Sequence, residues 1–179
     1  SVRIAQKVGQ EKFKSFLEQI GVIGEINFDI DEIAVYEDFS MGKCKLATAS
    51  FGHGVATTLL QLAKGYSIIS NGGYDVNPKL ILSESKEKKD QKKLILNKGV
   101  SEKIVKILRK VVTNEEGTAG LANVNGYEIA GKTGTAEQAI DGQYSKTKIN
   151  TFASVFPSSN PKFVFIVMLD SPRGSKTYV

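Results

Sequence analysis

One stretch of the sequence carries the residues of two different chemistries. Residues 126–133 read Gly-Tyr-Glu-Ile-Ala-Gly-Lys-Thr, which matches G-x-x-x-x-G-K-[ST], a pattern in which backbone N–H groups and a lysine hold nucleotide phosphates. Lys132, Thr133, Gly134 and Thr135 also match the K-T-G signature of serine acyltransferases. The two chemistries require different surroundings for the lysine, so the flanking residues decide between them.

The flanking residues disfavour a phosphate-binding loop. Such a loop consists of small flexible residues and leads into a helix whose N–H groups contact the phosphates. Residues 127–130 are instead typical of a strand, and residues 134–142 contain two glycines that disfavour a helix. Residues 163–170 resemble an apolar strand ending in a magnesium-binding Asp, but the intervening chain is too short for a parallel crossover plus another strand. An NTP-binding domain therefore remains one alternative.

The lysine motif suits acyl transfer if it lies on a strand. A strand edge would present the Lys132 ammonium and nearby hydroxyls to a substrate carboxylate, and Gly134 would leave out a side chain that blocks the approach of the substrate. The N–H of Thr135 could then point at the oxyanion that develops in the reaction. A Lys-Thr-Gly tripeptide alone is weak evidence, so longer segments carry the argument.

These longer segments resemble class B penicillin-binding proteins, and most closely the division-type (septal) transpeptidases. Residues 126–138 are very similar to the strand that bears the third motif of that family, and Leu59 stands where its members usually have Pro. The remaining resembling segments occur in the family's order and are residues 2–6, 51–73, 152–157 and 161–170.

The resemblance implies an α+β, penicillin-binding/β-lactamase-like transpeptidase fold, with an antiparallel sheet flanked by helices, that is incomplete in this chain. It implies one partial domain over residues 1–179, with a mainly helical part (1–125) and a three-strand meander (126–172). The implied function is part of a serine D,D-transpeptidase that cross-links peptidoglycan stem peptides, by acyl transfer on D-Ala-D-Ala, during cell division. The implied ligands are stem peptides and β-lactams, the implied partners are divisome membrane proteins, and the implied location is the outer side of the cytoplasmic membrane.

The family's third motif transfers onto four residues. Lys132 would supply positive potential to the substrate carboxylate and to proton transfer, and the hydroxyls of Thr133 and Thr135 would hold that carboxylate. Gly134 would allow close approach, and the backbone N–H of Thr135 would form half of the oxyanion hole.

The family's nucleophile lies in an S-x-x-K motif that is followed by S-x-N, and we expect both to lie outside this chain. Ser1 is not an initiator residue, so we expect the chain to be an internal fragment that is inactive alone. A non-catalytic binding module of the same fold is a further alternative, which these residues do not separate from the enzyme fragment. Strings that match these motifs are interpreted as chance matches, and they are Ser40 with Lys43, Ser83 with Lys86, Ser145 with Lys148, and Ser158-Ser159-Asn160.

The elements that would position this motif follow from periodicity and from residues that cap or end helices. The predicted helices run from residue 2 to 20, from 57 to 69, and from a cap at Ser101 to Val112. The predicted strands are 78–82, 127–130, 150–156 and a central strand 162–170, with a turn at 144–148. Helices followed by a run of strands favour an α+β fold.

Composition excludes several other functions. The 179 residues carry a net charge of +5, but 21 of the 24 basic residues are Lys, which disfavours specific nucleic-acid recognition because bidentate Arg dominates there. One Cys (Cys44) and one His (His53) exclude an internal disulfide and a Cys/His zinc site. We therefore expect no metal, no cofactor and no nucleic-acid partner.

Overall fold

The computed structural model describes residues 1–30, 42–81, 93–140 and 143–173. Its elements are α1 (Val2–Val8), α2 (Gln10–Gln19), α3 (Lys43–Ala49), α4 (Leu59–Ser70), α5 (Lys98–Thr113), β1 (Ala130–Ile140), β2 (Gln143–Phe156) and β3 (Phe163–Asp170), with a 3-10 turn at Gly120–Ala122. They form two compact units, one of Ser1–Ile68 with Tyr74–Ile95 and one of Ile69–Gly73 with Leu96–Val179. No helix of the described residues is long and apolar enough to cross a membrane.

In the first unit, the single helix predicted over residues 2–20 is wrong, because the chain forms two helices. The break lies at Gly9, whose φ of 87° is in the left-handed region that glycine adopts without steric cost. The turn lets α1 and α2 both contact α3. The small core there consists of Ala5, Leu46 and Ala49, with Phe13, Leu17, Ile23 and Val55 packed against them.

Helix α4 begins at a reciprocal cap. The N–H of Gln61 donates to the Thr58 hydroxyl (3.1 Å), and the Thr58 N–H donates to the Gln61 side-chain carbonyl (2.8 Å), which satisfies two donors that a helix end leaves unpaired. Leu59, the departure from the family pattern, is the first residue of the helix. Pro suits that position because its missing N–H would be unpaired there in any residue, and the Thr58 cap forms without it.

The strand predicted at 78–82 does not form in the described residues 78–81. The backbone N–H groups of Leu80 and Ile81 instead donate to one oxygen of the Asp29 carboxylate, at 2.7 and 3.1 Å. Bonds from Ile81 and then Leu80 hold the pKa of Asp29 below its ordinary value. A side chain about fifty residues away therefore takes donors that a sheet would have used.

In the second unit, α5 packs against β1. Its N-cap is Asn97, whose side chain accepts from the Gly99 N–H at 2.8 Å. The cap predicted at Ser101 is wrong, since Ser101 lies one turn inside the helix, is 2% exposed and donates its hydroxyl to the Ile69 carbonyl. Serine is a common N-cap residue, but here the Ser101 hydroxyl forms a tertiary hydrogen bond instead.

The three strands form an antiparallel sheet in the order β1-β2-β3, which confirms the predicted meander. The predicted turn at 144–148 is wrong because these residues extend β2, where Lys148 pairs with Glu137. The strand predicted at 127–130 is also wrong, since β1 begins only at Ala130, after Glu128 with φ of 48°. The predicted central strand, β3, pairs only with β2 among the described strands.

Candidate active site

The four predicted site residues lie on β1, which pairs only with β2 in the described sheet. The opposite edge of β1 is therefore open within the described chain. Lys132, Gly134 and Thr135 are exposed and Thr133 is half-buried. Their register partners on β2 are, in chain order, Ala153, Phe152, Thr151 and Asn150.

The Lys132 ammonium bends back onto its own strand. Its Nζ donates to the Thr133 carbonyl at 2.7 Å and lies 3.3 Å from the Thr133 hydroxyl oxygen. No acidic side chain of the described residues forms an ion pair with it. The charge is consequently held beside a hydroxyl and is available to an anion from outside.

Sequence reasoning missed Thr118 as a member of this cluster. Its hydroxyl lies 2.9 Å from the hydroxyl of Thr133, and either group can be the donor. The loop reaches β1 because Gly117 turns tightly, where an added Cβ would lie 2.1 Å from the Val111 carbonyl oxygen. The sequence feature that points to this loop is the small-residue segment Gly117–Gly120, which follows α5.

Two glycines of β1 have different surroundings. A Cβ at Gly131 would lie 2.7 Å from the Phe152 ring and 2.8 Å from the Ala153 carbonyl oxygen, so the packing of the sheet excludes a side chain there. A Cβ at Gly134 would meet only the Thr151 carbonyl oxygen, at 3.9 Å, which is ordinary contact. The fold therefore requires glycine at 131, whereas nothing in the described chain requires it at 134.

Two side chains anchor the segment that enters β1. The Arg109 guanidinium donates to the Ile129 carbonyl at 2.7 Å and to the Asn123 side chain at 3.3 Å. The carboxylate of Glu128 accepts from the hydroxyl and the N–H of Ser159. These bonds, followed by the Arg109 charge, hold the pKa of Glu128 below its ordinary value. The start of the motif strand is thus attached to α5 and to the β2–β3 turn.

Behind the motif, β2 carries a buried polar group that sequence reasoning also missed. Asn150, the register partner of Thr135, is 7% exposed. Its side-chain oxygen has no hydrogen-bond partner among the described residues. A buried oxygen that is left without a hydrogen bond lowers the unfolding free energy by about 1–3 kcal/mol. Nothing in the sequence pattern marks this residue.

The strings that match the nucleophile motif do not form it in the described residues. Ser145 and Lys148 both lie on β2, and residues three apart on a strand point to opposite faces. Ser40 and Ser83 lie outside the described residues. In the S-x-N string, Ser159 is bonded to Glu128, and the string occupies the β2–β3 turn.

The phosphate-loop alternative fails on the same geometry. Lys132 and Thr133 are strand residues, and the chain continues as strand up to Ile140 where a phosphate loop needs a helix. Asp170 ends a strand that is antiparallel to its neighbour, instead of a parallel one. The nucleotide interpretation is therefore wrong.

Comparison with known proteins agrees with this geometry. Residues 1–178 match the family model described as the penicillin-binding protein transpeptidase domain. The chain belongs to this transpeptidase family. The resemblance stated from the sequence is thus confirmed, and so is the α+β fold class.

Individual relatives of this transpeptidase chain include the probable peptidoglycan D,D-transpeptidase FtsI of Caulobacter vibrioides, 28% identical over 181 residues that cover 96% of this chain and 31% of that protein. The FtsI of Buchnera aphidicola is 36% identical over 133 residues that cover 74% of this chain and 23% of that protein. Penicillin-binding protein 3 of Mycobacterium tuberculosis, solved with ampicillin, superposes with a TM-score of 0.83 at 29% identity, over 96% of this chain and 42% of that one. The chain thus spans about a third of the length of such relatives and is a partial transpeptidase domain.

Proposed function

We propose that this chain provides the carboxylate-binding strand and half of the oxyanion hole of a serine D,D-transpeptidase that cross-links peptidoglycan stem peptides in cell division. The observation that carries the proposal is the Lys132–Thr133–Gly134–Thr135 cluster on the open edge of β1, within a chain that matches the transpeptidase family over residues 1–178. Relatives named peptidoglycan D,D-transpeptidase support the reaction, and one solved relative was crystallised with ampicillin.

In this proposal, Lys132 and the two threonines bind the terminal carboxylate of the D-Ala-D-Ala substrate. The ammonium already lies beside the Thr133 hydroxyl, at 3.3 Å, so an arriving carboxylate gains a cation and hydroxyl donors at one place. Charge-assisted hydrogen bonds of this kind are about twice as strong as neutral ones. The hydroxyl of Thr118, bonded to that of Thr133, orients it.

The proposed oxyanion donor is the backbone N–H of Thr135. Backbone groups of residues two apart on a strand point to the same edge, so Thr133 and Thr135 share one edge. Because the Lys132 ammonium reaches the Thr133 carbonyl at 2.7 Å, we assign that edge to the open side of β1. An oxyanion-hole donor is worth about 3–4 kcal/mol in comparable enzymes.

The nucleophilic serine, its activating lysine and the S-x-N motif are assigned to residues outside these 179. Loss of the nucleophile costs about six orders of magnitude in a serine hydrolase, so the chain alone is expected to leave substrate unchanged. Placement on the outer side of the cytoplasmic membrane, and assembly with other division proteins, complete the proposal.

The test is covalent labelling of the full-length protein by a fluorescent penicillin. Lys132→Ala should lower the second-order labelling rate about 10- to 150-fold, the equivalent of a charged hydrogen bond of about 1.5–3 kcal/mol. Lys103→Ala is the matched control, since Lys103 is an exposed lysine of α5 and not a motif residue. Equal labelling of the wild type and Lys132→Ala would refute the assigned role of the lysine, and labelling of Ser145 would refute the proposal as a whole.

A further inference from the structure

A concave surface lies along α5, apart from the motif residues of β1. This surface, the α5 groove, has a volume of about 1020 Å³. One wall is the helix face that carries Lys98, Glu102, Lys106, Arg109 and Lys110, and the others are residues 70–72 and 158–161. None of the four β1 motif residues lines it.

The groove is strongly basic. Four cationic side chains line it against one acidic side chain, Glu102. Lys98, Lys106 and Lys110 form no ion pair with any described acidic residue. Lys106 and Lys110 stand four residues apart, a spacing at which like charges destabilise a helix. An anion in the groove would remove this repulsion.

The size and the lining of the groove suit a chain segment as its ligand. Its volume is at the upper limit of the range of about 300–1,000 Å³ that is typical of small-molecule sites. Ser101 and Val105 are the buried part of its lining, and the wall at 158–161 has the Ser158 hydroxyl and the Asn160 amide, which suit a peptide backbone. A flat anionic membrane would contact the rim of such a concavity more easily than its interior.

We propose that the α5 groove binds an extended acidic peptide segment of a partner protein. Lys106 and Lys110 provide the principal contacts with its carboxylates. Arg109 contributes charge mainly, because its guanidinium is already bonded to the Ile129 carbonyl and to Asn123. Binding of this kind is steered by charge, so it weakens as the salt concentration rises.

The test uses the full-length protein and a fluorescein-labelled ten-residue peptide of alternating Glu and Gly, with a Gln-for-Glu peptide as the uncharged probe. Fluorescence anisotropy should show binding of the Glu peptide that Lys106→Glu weakens at least 10-fold. Lys103→Glu is the matched control, because it makes the same charge change on the same helix but does not line the groove. It should change the affinity less than 2-fold, and both variants should keep wild-type labelling by penicillin.

Three results would overturn the proposal. The first is equal weakening by Lys103→Glu and Lys106→Glu, which would show attraction by net charge alone. The second is no binding of the Glu peptide at 100 mM salt. The third is binding to vesicles of anionic phospholipid that Lys106→Glu abolishes, without binding of the peptide, which would assign the groove to a membrane surface. Because labelling by penicillin is measured on the same samples, failure of this proposal is distinguished from failure of the transpeptidase function.

Discussion

Alanine at Gly131 and alanine at Gly134 should affect stability differently, although both changes add one methyl group to the same strand. The first should lower the unfolding free energy, and the second should not. At Gly131 the new Cβ would lie 2.7 Å from the Phe152 ring, which is 0.7 Å less than the 3.4 Å at which ordinary contact begins, and 2.8 Å from the Ala153 carbonyl oxygen. The ring can rotate, but the carbonyl belongs to the paired strand β2. Overpacking of this kind costs about 1–3 kcal/mol of unfolding free energy.

At Gly134 the new Cβ would have only a 3.9 Å contact, and the backbone there is not in the left-handed region. Gly134→Ala should therefore leave stability unchanged or raise it by about 0.4–1 kcal/mol, because alanine restricts the unfolded chain. The same methyl group would stand where the substrate is proposed to approach. A displacement of about 1 Å at a reacting group costs about 100-fold in rate.

Both variants should be measured in the full-length protein, by thermal unfolding and by the rate of labelling with fluorescent penicillin. Gly131→Ala should lower the melting temperature by about 2–4 °C per kcal/mol, and Gly134→Ala should lower the labelling rate without lowering the melting temperature. Normal labelling of a stable Gly134→Ala protein would refute the argument that a ligand lies against this residue. An undiminished melting temperature in Gly131→Ala would refute the packing argument.

Three further predictions concern stability. Arg109→Ala should lower the unfolding free energy by about 1–3 kcal/mol because it leaves the Ile129 carbonyl without its 2.7 Å donor, and urea unfolding that matches an Arg3→Ala control would contradict this. The pKa of Glu128 is lowered from 4.5 by Ser159, so its contribution is present above that value and is lost as the pH falls through the folded pKa. Stability should thus decline more steeply below about pH 4.5 in the wild type than in Glu128→Gln, and parallel acid profiles would refute this contribution. Asn150→Leu should raise stability by about 1–3 kcal/mol, because it removes an unpaired buried oxygen, and a lowered melting temperature would show that this oxygen has a partner in the full-length protein.

The pattern of apolar residues along the chain was sufficient to predict the antiparallel meander. The meander follows from apolar strands with short connections. The strand that carries Lys132 was expected from the resemblance to the family, since the strand predicted from local pattern ended at Ala130. The candidate site residues of β1 were therefore chosen by their match to a motif. Their proposed roles came from the resemblance to a family and stay predictions.

Three of the differences between prediction and structure have a common physical origin in contacts between residues that are distant in sequence. Residues 78–81 have the composition of a strand, but Asp29 takes two of their backbone donors. Ser101 has the side chain of a cap, but the Ile69 carbonyl takes its hydroxyl. Thr118 joins the site only because the loop after α5 folds back to Thr133. No periodicity within a window of a few residues contains these contacts.

The two anchors of residues 128 and 129 also determine which atoms of β1 a ligand meets. A strand that slips by one residue against its neighbour turns every side chain to the other face. A slip of β1 against β2 would exchange the positions of Lys132 and Thr133, with each residue still present and still in a strand. Arg109 holds the Ile129 carbonyl and Ser159 holds Glu128, and both bonds would have to break before such a slip. The alignment of the motif strand is thus set by residues outside the motif, so we expect a change at Arg109 or Ser159 to weaken that alignment without changing a motif residue.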